Sequence, residues 1–307
     1  TIGFVSGFLV ADGSMLTAYD NSFEKYNIED GHFTLAVELP KEVKEKLEKE
    51  DVTIYPLNYK DFDLSDSNTI RVYKERKDVN KICLMDGEMP SKDDEIVLDR
   101  LYAHNNALSI GDTITLDKKI FRISGTVAFS DYSALFKNNT DMMFNASTFS
   151  IACVTDNAYN ALSDNGLSYT YAWKNNDPSL NDKESSEKGD DLKDILGKTG
   201  LVTDFVKQDN NQAIKFTGND IGSDSVMVIT LLYIIMVVLA FIFAVTTRSM
   251  MEKEAGTIGA LRASGYTKGE MISHYIRIPI LMTLLAAIIG NIFGYTIFKN
   301  MVAGIYY

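Results

Sequence analysis

Ser225-Val-Met-Val-Ile-Thr-Leu-Leu-Tyr-Ile-Ile-Met-Val-Val-Leu-Ala-Phe-Ile-Phe-Ala-Val-Thr-Thr247 runs for 23 residues without a charge, and Ile278 to Phe298 runs for 21. Between them lies a short segment that includes Glu252-Lys-Glu-Ala-Gly-Thr-Ile-Gly-Ala-Leu-Arg-Ala-Ser-Gly-Tyr266. A helix rises about 1.5 Å per residue, so roughly 20 apolar residues cross a bilayer core of about 30 Å. Both runs are long enough to span. The rest of the chain is therefore read as a domain held at a membrane.

The charges separate along the chain. Of 30 basic and 42 acidic residues, six and three lie after Asp224, which leaves 24 and 39 before it. The long N-terminal part is acidic, and this argues against nucleic acid as a partner, because phosphates call for a basic face. Five of the six late basic residues (Arg248, Lys253, Arg262, Lys268, Arg277) lie in the loop between the spans. Short loops rich in Lys and Arg stay in the cytoplasm. The first span then runs outside to inside, the second returns, and residues 13–222 lie outside the cell.

Thr1 to Ala11 is apolar over about half a span and lacks the features of a signal peptide. It reads as the outer end of a transmembrane helix that starts earlier, and the stop at Tyr307 reads as a second truncation. Cys83 and Cys153 sit in apolar stretches and read as buried free thiols. The three histidines share no ligand spacing with cysteine, so no metal site is expected.

The expected plan is an α+β extracellular domain inserted between transmembrane α-helices. Residues 1–30 form the end of the first helix and a stalk. Residues 31–206 form the core domain, and 207–224 a second stalk. Residues 225–247 span, 248–277 form a cytoplasmic loop with a docking helix, and 278–300 span again. Within the core, alternating or apolar Val- and Ile-rich stretches predict strands at 32–39, 51–55, 69–73, 81–85, 95–98, 113–116, 120–128, 167–173 and 201–206. The strand at 81–85 reads as buried. Helices are expected from Pro40 as a first helical residue, and at 99–106, 156–163 and 178–198.

No phosphate loop, nucleophile elbow or zinc-protease motif occurs, so neither catalytic residues nor a cofactor are assigned. The loop between the spans is more informative. Ile258 and Leu261 would share a helix face, with Arg262 close by and small residues at Gly256, Gly259, Ala260, Ala263 and Gly265. A lipid-surface helix favours bulky apolar residues with Lys and Arg. Small residues let another backbone approach, so docking on a partner is the better reading. In the second span Ala286, Gly290 and Gly294 recur every four residues, a pattern that lets membrane helices approach closely, within one subunit or against a second copy.

The segment Glu254-x-Gly-x-Ile-Gly-Ala-Leu-Arg-Ala-Ser-Gly265 after an apolar span resembles the coupling segment of FtsX-like ABC transporter permeases, which include the MacB-type exporters. Gly87-Glu-Met-Pro90, Glu95-Ile-Val-Leu98, Ile110-Gly-Asp-Thr-Ile114, Phe121-Arg-Ile-Ser-Gly125 and Asp131-Tyr132 resemble the extracytoplasmic core domain of the same family. The resemblance implies a multi-pass protein of a bacterial cell membrane, paired with a second permease copy or homologue. It also implies a separate ATPase subunit that binds the ATP and docks on Glu252, Glu254, Gly256, Ile258, Leu261, Arg262 and Gly265. The chain itself would not be an enzyme. Its stroke would serve export, extraction or regulation of an envelope process. A regulatory permease that activates a cell-wall hydrolase shares these motifs. A membrane receptor with an outer sensor domain shares the plan but would continue into a long signalling region, whereas this chain re-enters the membrane.

Overall fold

Helix α1 (Ile2–Lys25) leads into β1 (Gly31–Leu35), whose alternating burial follows the alternation of His32 and Thr34 with Phe33 and Leu35. The structure is a computed structural model and describes residues 2–65 and 68–304. Helix α2 (Lys41–Glu48) crosses to β2 (Val52–Pro56). Pro40 caps α2 in extended conformation and is not its first helical residue. It lacks an N–H in any case, so it suits either position.

Next come β3 (Tyr59–Ser65), β4 (Asn68–Lys74), β5 (Ile82–Gly87) and β6 (Glu95–Asp99). Helix α3 (Arg100–Asn105) starts where the Asp99 carboxylate accepts from the backbone N–H groups of Leu101 and Tyr102. Strands β7 (Thr113–Leu116) and β8 (Lys119–Phe129) form a hairpin. Asp117 and Lys118 at its turn both have positive φ, as a twist-matched two-residue turn requires. Then follow β9 (Phe149–Val154), α4 (Asp156–Ala161), β10 (Leu167–Asn175), α5 (Asp182–Gly197) and β11 (Val202–Lys207). Helix α5 begins four residues later than expected, because Asn181 and Glu184 close a capping box there.

The 11 strands run in the order β11-β1-β10-β3-β4-β9-β6-β8-β5, with β2 also on β10 and β7 also on β8. Long β10 joins two lobes: β1 and β2 flank its C-terminal half, and β3 pairs with Leu167 and Ser168 at its start. The first lobe packs Phe33, Tyr171 and Trp173 against Leu47 of α2 and Leu192 and Leu196 of α5. The second packs β4, β6, β8 and β9 around Ile70, Leu98, Ile123 and Ile151. Strand β5 is an edge strand with Leu84 and Met85 exposed, so the expectation of a buried strand at 81–85 is corrected. Cys153 is buried and free; Cys83 is also free but only half-buried, since it lies on that edge.

Helix α6 (Gln212–Lys253) is continuous for 42 residues, so the segment expected as a polar stalk is helical from Gln212 onward. It is followed by α7 (Ala255–Ala263) and α8 (Lys268–Phe293). A π-helical turn at Gly294–Phe298 and the short α9 (Lys299–Ala303) complete the described chain. Helix α6 and the helical run Lys268–Val302 are long and apolar enough to cross a membrane. Their apolar side chains stay uncovered, among them Leu231, Phe241, Ile280 and Leu285. Such all-round apolar helices suit a lipid surrounding. By contact, residues 20–217 form one unit, and residues 1–19 with 218–307 form another.

Candidate functional site: the coupling segment and the stalk junction

The segment between the two long helices folds as a helix held by defined turns at both ends. At the end of α6, Arg248 Nε lies 2.9 Å from Glu252 Oε1, an exposed i,i+4 pair. Glu254 heads α7, and its carboxylate accepts a hydrogen bond from the Tyr275 hydroxyl of α8 at 2.5 Å. Helix α7 stops just before Gly265, which has φ +99. The Gly265 N–H donates to the Arg262 carbonyl at 3.1 Å and the Tyr266 N–H to the Leu261 carbonyl at 3.2 Å. These two bonds define a Schellman stop, which uses a left-handed residue and so favours glycine. Thr267 and Glu270 then form the capping box that opens α8.

The burial of α7 has a direction. Glu254, Ile258 and Leu261 are half-buried and fall on one helix face; Gly256, Gly259, Ala260 and Ala263 are exposed on the opposite one. A Cβ built on Gly256 or Gly259 would meet nothing within 4 Å. Glu252 and Arg262 are exposed. Of the residues read as a docking set, the structure therefore turns Ile258 and Leu261 inward, commits Gly265 to the turn, and leaves the small-residue face open.

Gly290 and Gly294 lie against α1. A Cβ on Gly3 would sit 2.7 Å from the Gly290 carbonyl oxygen, and one on Gly7 would sit 2.7 Å from that of Gly294. Phe4 and Phe298 meet edge to face beside this crossing, with centroids 6.0 Å apart. Ala286 is exposed and takes no part. The matching glycines of α1 went unremarked in the sequence, although Gly3, Gly7 and Ala11 carry the same four-residue spacing.

A second constellation was not read from the sequence at all. Glu29, Asn80, Asp131 and Asn211 are buried together, just after α1 and just before α6. Asn80 Nδ2 donates to Glu29 Oε2 at 2.7 Å and to Asp131 Oδ2 at 3.3 Å. Asp131 Oδ1 accepts from Arg76 Nη1 at 2.7 Å. Asn211 Nδ2 reaches Glu29 Oε1 at 3.4 Å, while its side-chain Oδ1 caps α6 by accepting from the N–H groups of Ala213 and Ile214. The loop after β8 grips the same helix start. The Ser133 hydroxyl donates to the Ala213 carbonyl at 2.8 Å, and Phe136, Phe144 and Phe216 form an aromatic cluster with centroids 5.1–5.9 Å apart. Asp131-Tyr132, noted in the sequence for its resemblance, is thus the acidic centre of a junction between both stalk ends.

The junction has a pH signature. Burial works to lower the His32 pKa, but Glu29, 2.5 Å away, raises it above 6.5. Burial works to raise Glu29, and His32 with Asn80 holds it below the usual carboxylate range. A raised histidine contributes stability that is full below its unfolded pKa and lost as pH rises through the folded value. The thermal midpoint of residues 20–217 is therefore expected to fall as pH rises above about 6.5, and His32→Gln to flatten that slope. A wild-type midpoint that stays level over this range sinks the assignment.

Residues 229–305 match the family described as FtsX-like permease C-terminal. That stretch takes in most of α6, all of α7 and the returning helix. No curated protein matches the chain. Two solved structures are similar. The periplasmic region of MacB from Actinobacillus actinomycetemcomitans aligns over 62% of this chain and 92% of its own, at 15% identity and a TM-score of 0.34. The extracellular domain of the noncanonic ABC-type transporter YknZ from Gram-positive bacteria aligns over 57% and 100%, at 11% identity and a TM-score of 0.31.

Proposed function

We propose that this chain is the membrane permease subunit of an ABC transporter of the FtsX/MacB-like class, with ATP hydrolysis carried by a separate subunit. The observation that carries this reading is the family match over residues 229–305, which includes a short helix closed by a glycine stop with one face open. The ATPase docks on the Gly256, Gly259, Ala260 and Ala263 face of α7, on the cytoplasmic side. Closure of the ATPase on nucleotide then moves α6, whose N-terminal turn is gripped by the stalk junction, and so moves the outer domain. A continuous helix is a stiff rod, and this suits it to pass a displacement along its axis.

The test is co-purification of the full chain with a phosphate-loop ATPase subunit from the same cells. Gly259→Trp places a large side chain where nothing lies within 4 Å, so the fold tolerates it while a docked partner does not. Wild-type chain is expected to retain the ATPase, and Gly259→Trp to lose at least about tenfold in affinity, the effect of roughly 1.4 kcal/mol. Equal retention by both chains refutes docking on this face. Gly265→Asp is a poor probe because it strains the turn itself.

A further inference from the structure

Arg71 in β4 and Arg76 just beyond its end are both buried, but their guanidinium groups are satisfied differently. Arg71 points the Nε and Nη2 edge of its guanidinium at Asp61, with bonds of 2.9 and 3.0 Å. This is the side-on fork that fits two oxygens of one carboxylate or phosphate. Arg76 is as deeply buried, its side chain 3% exposed, and it stacks on Tyr73 at 3.8 Å. Only its Nη1 is bonded, to Asp131; Nε and Nη2 have no hydrogen-bond partner. Leaving buried donors unmade is costly, and a charged group raises the cost.

Arg76 lines a cavity of about 560 Å³ between β3, the turn after β4 and α4. Two further buried groups in the same wall lack partners: the Tyr159 hydroxyl and Asn58 Oδ1. The Lys74 and Lys60 ammonium groups lie 5.2 and 4.7 Å from the centre of the Tyr159 ring. Carboxylates line the cavity too. Asp164 is paired with Lys60 at 3.0 Å and Glu75 with Lys77 at 3.1 Å; Asp78 and Asp156 are the others. Net charge therefore does not select the ligand. The empty fork does, with a hydroxyl donor in the same wall.

We propose that this cavity is a binding site for an oxyanion, a carboxylate or phosphoryl group of a small extracellular solute, held by the Nε and Nη2 edge of Arg76 and the Tyr159 hydroxyl. Both nitrogens are closed off from solvent, so binding requires the cavity wall around Arg76 to rearrange. The site adjoins the stalk junction through one residue. Arg76 holds Asp131, Asp131 and Glu29 share Asn80, and Glu29 meets Asn211, the cap of α6. A ligand on Arg76 thus competes with or reinforces the bond that anchors this chain of contacts. The inference stands on the outer domain alone and does not depend on the ATPase reading.

The test is the thermal midpoint of the detergent-solubilised full chain, titrated with acetate, inorganic phosphate or chloride at matched ionic strength. A rise with acetate or phosphate beyond chloride is expected at millimolar concentration, and whichever anion acts names the group. Tyr159→Phe removes a hydroxyl that has no partner, so this variant should fold as wild type and bind about tenfold more weakly, the loss of one charge-assisted hydrogen bond. Arg76→Lys should abolish the rise, since an ammonium lacks the fork. No rise beyond chloride in the wild type, or a rise unchanged in Tyr159→Phe, overturns the proposal.

Discussion

Asp131→Ala is expected to cost the outer domain about 3–5 kcal/mol, the usual loss when one partner of a buried ion pair is removed. The Arg76 side chain is 3% exposed and Asp131 7%, so water cannot replace the lost carboxylate. The alanine would leave Arg76 with no hydrogen-bond acceptor and Asn80 with one contact fewer. A loss of that size is a large share of the 5–15 kcal/mol that holds a typical domain together. For about 200 residues it corresponds to a fall of roughly 10 °C in thermal midpoint. Asp131→Asn should cost less, because it keeps an oxygen for Nη1. Burial pushes the Asp131 carboxyl up while Arg76 opposes it, so the neutral side chain is the milder change. Equal midpoints for wild type and Asp131→Ala in thermal unfolding followed by circular dichroism would show that the junction does not hold the domain.

Gly7→Ala is the second large effect, and it falls in the helical unit. A methyl there would lie 2.6 Å from the Phe298 Cβ and 2.7 Å from the Gly294 carbonyl oxygen. The second of these is backbone and cannot rotate away. The helices must part, and the close packing that glycines permit between membrane helices is lost. Overpacking of this kind costs about 1–3 kcal/mol, and more where backbone is in the way. Gly13→Ala, on the same helix, is the control. Its Cβ would meet nothing within 4 Å, so it should be neutral or stabilise by up to about 1 kcal/mol. The readout is the midpoint of thermal aggregation of the full chain in detergent. If both variants match wild type, Gly7 does not pack on the π-helical turn at Gly294–Phe298.

The parts of the fold that could be read from sequence are those with a local signal. A charge-free run of 23 residues needs no partner to announce a span. The β7–β8 hairpin was legible because Asp117-Lys-Lys119 interrupts two β-rich stretches. Strand β9 was missed because Phe149-Ser-Ile-Ala-Cys-Val154 is buried on both faces and shows no alternation. Strand β3 was missed for the opposite reason. It carries Lys60, Asp61 and Asp63, yet Lys60 is buried and donates to the Tyr159 and Leu162 carbonyls. Strand β5 looked buried because Ile82-Cys-Leu-Met85 is apolar, and edge position is a property of the sheet order alone.

The same division runs through the site. Gly265 and the small residues of α7 sit within a dozen positions of one another, so their pattern could be read. Which face of α7 is open could not, because that depends on how Ile258 and Leu261 turn inward and on the Glu254–Tyr275 bond. The stalk junction joins Glu29 to Asn80 across 51 positions and to Asn211 across 182. No spacing rule connects residues that far apart; only the folded chain brings them together.

The central claim is that the outward face of α7 meets a nucleotide-hydrolysing partner. A photo-activated crosslinker placed at position 259 of the full chain, in membranes of the cells that natively make it, tests it most directly. Position 259 is exposed and unobstructed, and position 258 on the inward face is the matched control. The account predicts a crosslink from 259 to a chain that carries a phosphate loop, and little or none from 258. No crosslink from 259 to that chain, or equal yields from both positions, would contradict it.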